Sequence, residues 1–128
     1  METLKVLVVE DEALIRAMLE DALENAGYGV HFAVSAKQAF DALEDQDKVF
    51  VALLTDVRLT SDVTGWDVAR RARELSPAMP VVYLTGDSAA DWASQGVPNS
   101  VLITKPFALA QVVTAISGLL NTDTPPSA

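Results

Sequence analysis

Short apolar runs alternate with amphipathic stretches along the 128-residue chain. The segment Lys5–Val9 (KVLVV) is short, rich in β-branched residues and followed by acidic residues, which is typical of a buried strand. Between Ala13 and Ala26, apolar residues recur at helical spacing, with Arg16 predicted on the polar side and Gly27 predicted to end the helix. The same reasoning predicts five strands and five helices in strict alternation.

The predicted strands are Lys5–Val9, Val30–Val34, Val49–Thr55, Pro80–Leu84 and Val101–Thr104. The predicted helices are Ala13–Ala26, Ala36–Glu44 with Ser35 as N-cap, Gly65–Leu75, a short Ser88–Ser94, and Leu109–Leu120. This order favours an α/β fold with a parallel sheet and helices on both of its faces. In such sheets the functional crevice lies beyond the carboxyl ends of the strands, so the residues that follow each strand are the candidates for a functional site.

Reactive side chains follow four of the five predicted strands. Glu10 and Asp11 follow the first, Asp56 the third, Thr85 the fourth and Lys105 the fifth. Three carboxylates at one edge of a sheet repel one another and favour a compensating cation. Because oxygen ligands without His or Cys favour a hard ion, we expect Mg²⁺ or Mn²⁺ at this edge.

A carboxylate beside a hard cation is a credible acceptor of a phosphoryl group, since aspartyl phosphates are a known class of covalent intermediate. Lys105 and the metal would neutralise charge on the phosphoryl oxygens, and the Thr85 hydroxyl would donate to one of them. Each residue by itself is more often a turn, a cap or a surface charge. Their joint occurrence at the strand ends predicts Asp56 as phosphoacceptor, assisted catalytically by Thr85 and Lys105.

Composition narrows the range of partners. The net charge of -9 argues against a nucleic-acid-binding surface, because such surfaces need clustered Lys and Arg. The absence of cysteine excludes disulfides and zinc–thiolate sites. No apolar run approaches the ~20 residues needed to cross a bilayer, and the first residues do not resemble a signal peptide. We therefore expect no nucleic-acid or membrane partner and a cytoplasmic location.

With these residues placed, the sequence resembles the response regulator receiver family of two-component signalling over Leu4–Leu120. The matching motifs are VVEDE, LLTDVRL, VVYLTG and TKPF. The resemblance implies a flavodoxin-like, doubly wound sheet of five parallel strands in the order 2-1-3-4-5. It also implies Mg²⁺ held by Asp11, Asp56 and the backbone carbonyl of Arg58, with Glu10 acting through a metal-bound water.

The resemblance further implies a histidine kinase or phosphotransfer protein as phosphodonor, and a downstream protein partner whose binding is switched. We expect a monomer or weak dimer, no enzyme activity beyond self-catalysed phosphorylation and dephosphorylation of Asp56, and a cis Lys105–Pro106 bond. The receiver domain is predicted to span residues 1–121, with a disordered tail over 122–128. Because too few residues follow the last predicted helix to form an output domain, we expect a stand-alone receiver; the alternative is a domain excised from a hybrid kinase or a larger regulator.

The sequence departs from the family pattern in three places. The position three before Lys105, normally an aromatic residue that changes rotamer on activation, is Leu102. The common proline four residues after the acceptor is Thr60, and the connection to the third helix is one residue longer than usual. The stretch from Thr85 to Lys105 is short, which predicts an abbreviated fourth helix. The first change puts the usual coupling between the Thr and the aromatic residue in doubt, and the other two affect surfaces through which receivers contact partners.

Two residues flank the predicted site, Arg58 two positions past the acceptor and Asp87 two positions past the fourth-strand hydroxyl. We hypothesise that they pair across the site and hinder an attacking water, the alternative being two solvated side chains. His31 is predicted to lie on the second strand without a catalytic role. Trp66 and Trp92 are interpreted as partial core residues, with Trp92 alternatively an anchor for a partner.

Other functions compete with the receiver. A phosphate-ester hydrolase with an aspartyl nucleophile often has a second Asp two residues on, but this chain has Arg58, which cannot donate a proton at neutral pH. A flavin or nucleotide carrier needs a Gly- or hydroxyl-rich phosphate loop after the first strand, where Glu10, Asp11 and Glu12 would repel phosphate. An interaction module that acts without phosphorylation stays open because of Leu102, as does a phosphate sink for a histidine kinase.

Overall fold

The computed structural model describes residues 4–121 as one five-stranded parallel sheet in the order β2-β1-β3-β4-β5. The strands are β1 (Lys5–Val9), β2 (Gly29–Ala33), β3 (Ala52–Asp56), β4 (Val81–Thr85) and β5 (Ser100–Thr104). The helices are α1 (Ala13–Asn25), α2 (Ala36–Glu44), α3 (Gly65–Leu75), α4 (Trp92–Gln95), which a 3₁₀ turn (Ala89–Asp91) precedes, and α5 (Leu109–Asn121). The predicted flavodoxin-like fold and its strand order are confirmed.

Two apolar cores lie on the two faces of the sheet. Because successive side chains of a strand point to opposite faces, each strand contributes to both cores. One core packs the sheet against α2 and α3, and the other packs it against α1 and α5. The central strands β1, β3 and β4 are buried almost throughout, which explains why they are continuous apolar runs in the sequence.

Strand boundaries differ modestly from the prediction. β2, β4 and β5 each begin one residue earlier or later than predicted. The third predicted strand, Val49–Thr55, begins too early, since the paired strand starts at Ala52 and Val49 is 79% exposed. Apolar character alone does not reveal where strand pairing starts. The paired strand also extends one residue further, so that Asp56 is its last residue.

Helical spacing of apolar residues predicts that Leu14, Met18 and Leu75 face the core, and this is wrong for all three. Leu14 and Met18 of α1 are 73% and 44% exposed, and Leu75 at the end of α3 is 45% exposed. The buried positions of α1 are Leu19 and Leu23, which lie four residues apart on one line. Extended back by one turn, that line passes through Ile15. Leu14 and Met18 each precede a residue on the line by one position, and one position corresponds to about 100° around an α-helix.

Local signals at the helix ends are largely as predicted. The Ser35 hydroxyl accepts a hydrogen bond from Gln38 N–H at 3.2 Å, which confirms the N-cap of α2. Gly27, just beyond α1, has φ of +97°, a left-handed conformation that glycine adopts without strain. The fourth helix is abbreviated, as predicted, to the single turn of α4.

Within residues 4–121, none of the helices is both long and apolar enough to span a bilayer. The predicted disordered tail, residues 122–128, lies outside the described residues, as do residues 1–3. The proposed domain bounds of 1–121 stay a prediction.

Candidate functional site

The structure brings the predicted site residues to the carboxyl edge of the sheet. In the parallel register, Val9 of β1 lies beside Thr55, so Glu10 and Asp56 follow as neighbours. Glu10, Asp11 and Asp56 each offer a carboxylate oxygen, and these three oxygens lie within 4.8 Å of one another. Like charges at such distances need a compensating cation.

Glu10 is a fully buried carboxylate with incomplete hydrogen bonding. Its Oε2 accepts a hydrogen bond from Glu12 N–H at 3.1 Å, whereas its Oε1 has no hydrogen-bond partner within the described residues. Burial raises the pKa of Glu10 to about 7, and the negative charge of Asp56 adds to this rise. The Glu12 N–H and the Lys105 ammonium, 3.8 Å from Oε1, act in the opposite direction.

Asp56 ends β3 with its side chain almost completely buried, and both carboxylate oxygens have partners. Oδ2 accepts a hydrogen bond from Lys105 Nζ at 2.8 Å, and Oδ1 accepts one from Arg58 N–H at 3.2 Å. Burial opposes the charge of Lys105, but its hydrogen bond and attraction to Asp56 prevail and raise the pKa of the ammonium. Lys105 is therefore a permanent cation directed at the predicted acceptor.

Thr85 ends β4 beside the end of β5. Its buried hydroxyl accepts a hydrogen bond from Ser88 N–H at 2.8 Å, which leaves the hydroxyl proton free to be donated elsewhere. The main-chain N–H of Lys105 donates to the Thr85 carbonyl at 2.8 Å and ties the two strand ends together. The predicted cis Lys105–Pro106 bond is present.

The donor set fits a hard divalent cation. Three carboxylates converge, and Glu10 brings a buried oxygen that no hydrogen-bond donor of residues 4–121 contacts, which is the environment that Mg²⁺ or Mn²⁺ would complete. The further ligand implied by the resemblance, the carbonyl of Arg58, belongs to the residue whose N–H contacts Asp56. Its role as a ligand stays a prediction.

The rim of the site carries the predicted ion pair. Arg58 Nη2 lies 2.9 Å from Asp87 Oδ2, and the two side chains are 77% and 55% exposed. The predicted pairing is therefore present. Its effect on an attacking water stays a prediction.

The remaining residues singled out from the sequence lie away from the strand ends or serve the core. His31 lies on the outer strand β2 with its ring 5.6 Å from that of Phe50. Trp66 is buried against Tyr83, with ring centroids 4.6 Å apart, as expected for a core residue. Trp92 is 38% exposed.

Leu102, at the position where the family has an aromatic residue, lies beside Tyr83 in the sheet. Its side chain is only partly buried against the core that α2 and α3 cover.

Two residues of the site were missed by the sequence reasoning. The helical pattern predicts Arg16 on the polar side of α1, whereas its Nη1 donates to the main-chain carbonyl of Glu10 at 3.0 Å. Gly65 begins α3, and its N–H donates to the Val57 carbonyl at 2.8 Å. A Cβ at Gly65 would overlap the carbonyl oxygen of Asp56. In the sequence, the only indication of this close approach was a glycine at the first position of the predicted third helix.

Comparison with known proteins agrees with this geometry. Residues 6–117 match the family described as the response regulator receiver domain. The chain is 32% identical to the response regulator receiver protein CpdR of Brucella abortus, and the match covers 91% of this chain and 96% of that protein. It is 33% identical to the probable transcriptional regulatory protein TcrX of Mycobacterium tuberculosis, of which it spans about half, 49%.

A crystal structure of a response regulator receiver protein from Sinorhizobium medicae is also similar. It shares 41% sequence identity with this chain at a TM-score of 0.91, and the match covers 94% of this chain and 96% of that one. The chain therefore belongs to the response regulator receiver domain family.

Proposed function

We propose that this chain is a phosphoacceptor receiver, in which Mg²⁺-dependent phosphorylation of Asp56 switches protein–protein interactions in the cytoplasm. One observation carries the proposal. Asp56 lies at the carboxyl edge of the sheet with an ammonium 2.8 Å from one of its oxygens and two further carboxylates beside it. An acceptor carboxylate with this charge arrangement suits the transfer of a phosphoryl group.

The proposed step is a displacement at phosphorus. A carboxylate oxygen of Asp56 forms the new P–O bond, the P–N bond of a phosphohistidine donor breaks, and the freed imidazole takes up a proton. Lys105 stabilises charge on the phosphoryl oxygens, and the Thr85 hydroxyl, already an acceptor from Ser88 N–H, donates its proton to one of them. Bound Mg²⁺ would supply the positive charge that offsets both the carboxylates and the phosphoryl group.

The proposed partners follow from this chemistry. A histidine kinase or a histidine phosphotransfer protein would supply the phosphoryl group, and a downstream protein would recognise the phosphorylated form. The chain would be a monomer or weak dimer, and its chemistry would be limited to phosphorylation and dephosphorylation of its own Asp56. Serving as a phosphate sink for a kinase requires the same site and is the alternative output.

The direct test is phosphorylation by a small donor. The protein is incubated with Mg²⁺ and acetyl phosphate and weighed intact by mass spectrometry, beside Asp56→Asn and an EDTA-treated sample. We expect a gain of one phosphoryl group in the wild type with Mg²⁺ and in neither control.

Two other outcomes would redirect the proposal. A mass gain in Asp56→Asn would show that another residue is the acceptor. Mg²⁺ binding without any mass gain, even with a histidine kinase or phosphotransfer protein as donor, would favour an interaction module that acts without phosphorylation. The substitution of Leu102 for the usual aromatic residue is the feature that keeps this second function in view.

A further inference from the structure

Arg16 contacts main-chain atoms rather than a carboxylate, although it lies beside an acidic site. Its guanidinium Nη1 donates to the main-chain carbonyl of Glu10 at 3.0 Å, spanning six residues from α1 back to the end of β1. The side chain is half-buried, and within residues 4–121 no ion pair includes it. The guanidinium is therefore used to hold backbone rather than to neutralise a particular carboxylate.

The backbone that Arg16 holds is the turn that carries two of the three clustered carboxylates. Glu10 N–H donates to the Ala33 carbonyl at 3.1 Å, and Glu12 N–H donates to the Glu10 carboxylate at 3.1 Å. Glu12 is the N-cap of α1, yet its own side chain makes no capping hydrogen bond. The start of α1 therefore has no side-chain cap, and the hydrogen bond from Arg16 restrains the turn in its place.

Arg16 could affect Mg²⁺ affinity either through its positive charge or by holding the turn, and these two roles predict opposite effects. A cation near a Mg²⁺ site repels the ion, so as a mere charge Arg16 would weaken metal binding. As a restraint it would strengthen binding, because residues that orient metal ligands commonly change metal affinity by about 10- to 100-fold when they are replaced. The sign of the change on substitution therefore separates the two roles.

We propose that Arg16 is a positioning residue, which holds the β1–α1 turn so that the carboxylates of Glu10 and Asp11 face Asp56. This inference rests on the proposed function, since it concerns the same site. The guanidinium of Arg16 contacts the main-chain carbonyl of Glu10 rather than one of the three clustered carboxylates. It acts through the backbone of Glu10 alone.

The test compares Mg²⁺ affinity by isothermal titration calorimetry in the wild type, Arg16→Met and Arg16→Lys. Arg70→Met is the matched control, because Arg70 Nη1 also donates to a main-chain carbonyl at 3.0 Å, that of Gln95, and neither residue belongs to the β1–α1 turn. We expect Arg16→Met to bind Mg²⁺ about tenfold more weakly. Arg16→Lys should lie between it and the wild type, and Arg70→Met should match the wild type.

A second readout needs no metal. Amide hydrogen exchange is followed by NMR in EDTA, with Val57 N–H, which donates to the Leu84 carbonyl, as internal control. We expect faster exchange at Glu12 N–H in Arg16→Met and unchanged exchange at Val57. If Arg16→Met does not fold, Arg16→Lys decides, since positioning predicts weaker Mg²⁺ binding than in the wild type and charge alone predicts equal binding.

The outcomes separate the inference from the function on which it rests. Equal or tighter Mg²⁺ binding by Arg16→Met, or unchanged exchange at Glu12, would overturn the role of Arg16 and leave the receiver function intact. Failure of the wild type itself to bind Mg²⁺ would overturn the proposed function, whatever the exchange data show.

Discussion

At the scale of single residues, the buried carboxylate of Glu10 destabilises the metal-free protein. Its pKa rises from 4.5 to about 7 on folding, chiefly through burial, so the folded state binds a proton more tightly than the unfolded state. Between these two values the free energy of unfolding therefore falls as pH rises. The destabilisation that Glu10 causes in the metal-free protein should therefore be largest above pH 7.

Replacing Glu10 by Gln should relieve this cost. In EDTA at pH 8, we expect Glu10→Gln to raise the free energy of unfolding by about 3 kcal/mol, since the pKa rises from 4.5 to about 7 and one pKa unit corresponds to 1.36 kcal/mol. The gain should shrink towards pH 5, where the wild-type side chain is mostly protonated. Urea unfolding at both pH values measures it, with the exposed Glu24→Gln on α1 as control. Equal stability of Glu10→Gln and wild type at pH 8 would contradict the argument.

The ion pair between Arg58 and Asp87 belongs to the same scale. Because both side chains are mostly exposed, the pair should contribute about 0–1 kcal/mol to stability. Replacing both by Ala should therefore leave the melting temperature nearly unchanged. We expect the same double substitution to speed dephosphorylation of Asp56 several-fold, because it opens the rim of the site to water.

Timed intact mass spectrometry of the phosphorylated protein, after removal of the donor, measures that rate. The exposed pair Lys37–Asp41 on α2, with a 3.0 Å contact, supplies a control double substitution that should leave the rate unchanged. An unaltered rate in the Arg58 and Asp87 double variant would show that the pair does not screen the phosphoryl group.

At the scale of elements, the start of α3 lies against the strand that carries the acceptor. A Cβ at Gly65 would overlap the Asp56 carbonyl oxygen and lie 2.9 Å from Val57 Cα. Gly65→Ala should therefore push α3 away from β3 and weaken the Gly65 N–H to Val57 hydrogen bond. We expect a loss of about 1–3 kcal/mol in stability, as for other overpacked sites.

Thermal unfolding of Gly65→Ala measures the loss, beside the rate of Asp56 phosphorylation, which should fall because the acceptor moves. Gly118→Ala in α5 is the control, since a Cβ there meets nothing within 4 Å. In a helix interior, alanine is favoured over glycine by about 1 kcal/mol, so this control should be slightly stabilised. Unchanged stability and phosphorylation in Gly65→Ala would show that the helix adapts without moving Asp56.

At the scale of the whole molecule, metal binding should couple to folding. The convergent carboxylates exist only in the folded state, so Mg²⁺ binds it preferentially. At a Mg²⁺ concentration 100 times Kd, the expected stabilisation is roughly 2.7 kcal/mol. We expect a rise of several degrees in the melting temperature relative to EDTA.

Calorimetry in NaCl of equal ionic strength is the control, because the net charge of -9 makes general screening by salt stabilising as well. The melting temperature of Asp56→Asn should rise with NaCl nearly as much as that of the wild type, but it should rise little further with Mg²⁺. An equal response to both salts in the wild type would contradict a specific metal site.

The sequence was most informative where burial and chemistry leave few alternatives. The continuous apolar runs of β1, β3 and β4 were predictable, because a parallel sheet covered on both faces requires them. Candidate chemistry at Glu10, Asp56 and Lys105 followed, because strand ends in such a sheet share one edge. The inner face of α1 was less predictable, since Leu14 and Met18 have the same apolar character as its buried residues.

By itself, the amino-acid sequence determined the order of elements, the sheet that they form and the residue types at its functional edge, because these depend on local periodicity and on connection rules. Only the tertiary structure decided the distances that give those residues their chemistry. The 2.8 Å contact of Lys105 with Asp56, the complete burial of Glu10 and the reach of Arg16 to the Glu10 carbonyl all depend on packing between segments distant along the chain or on side-chain direction. Hydrophobic patterning carries no information on either.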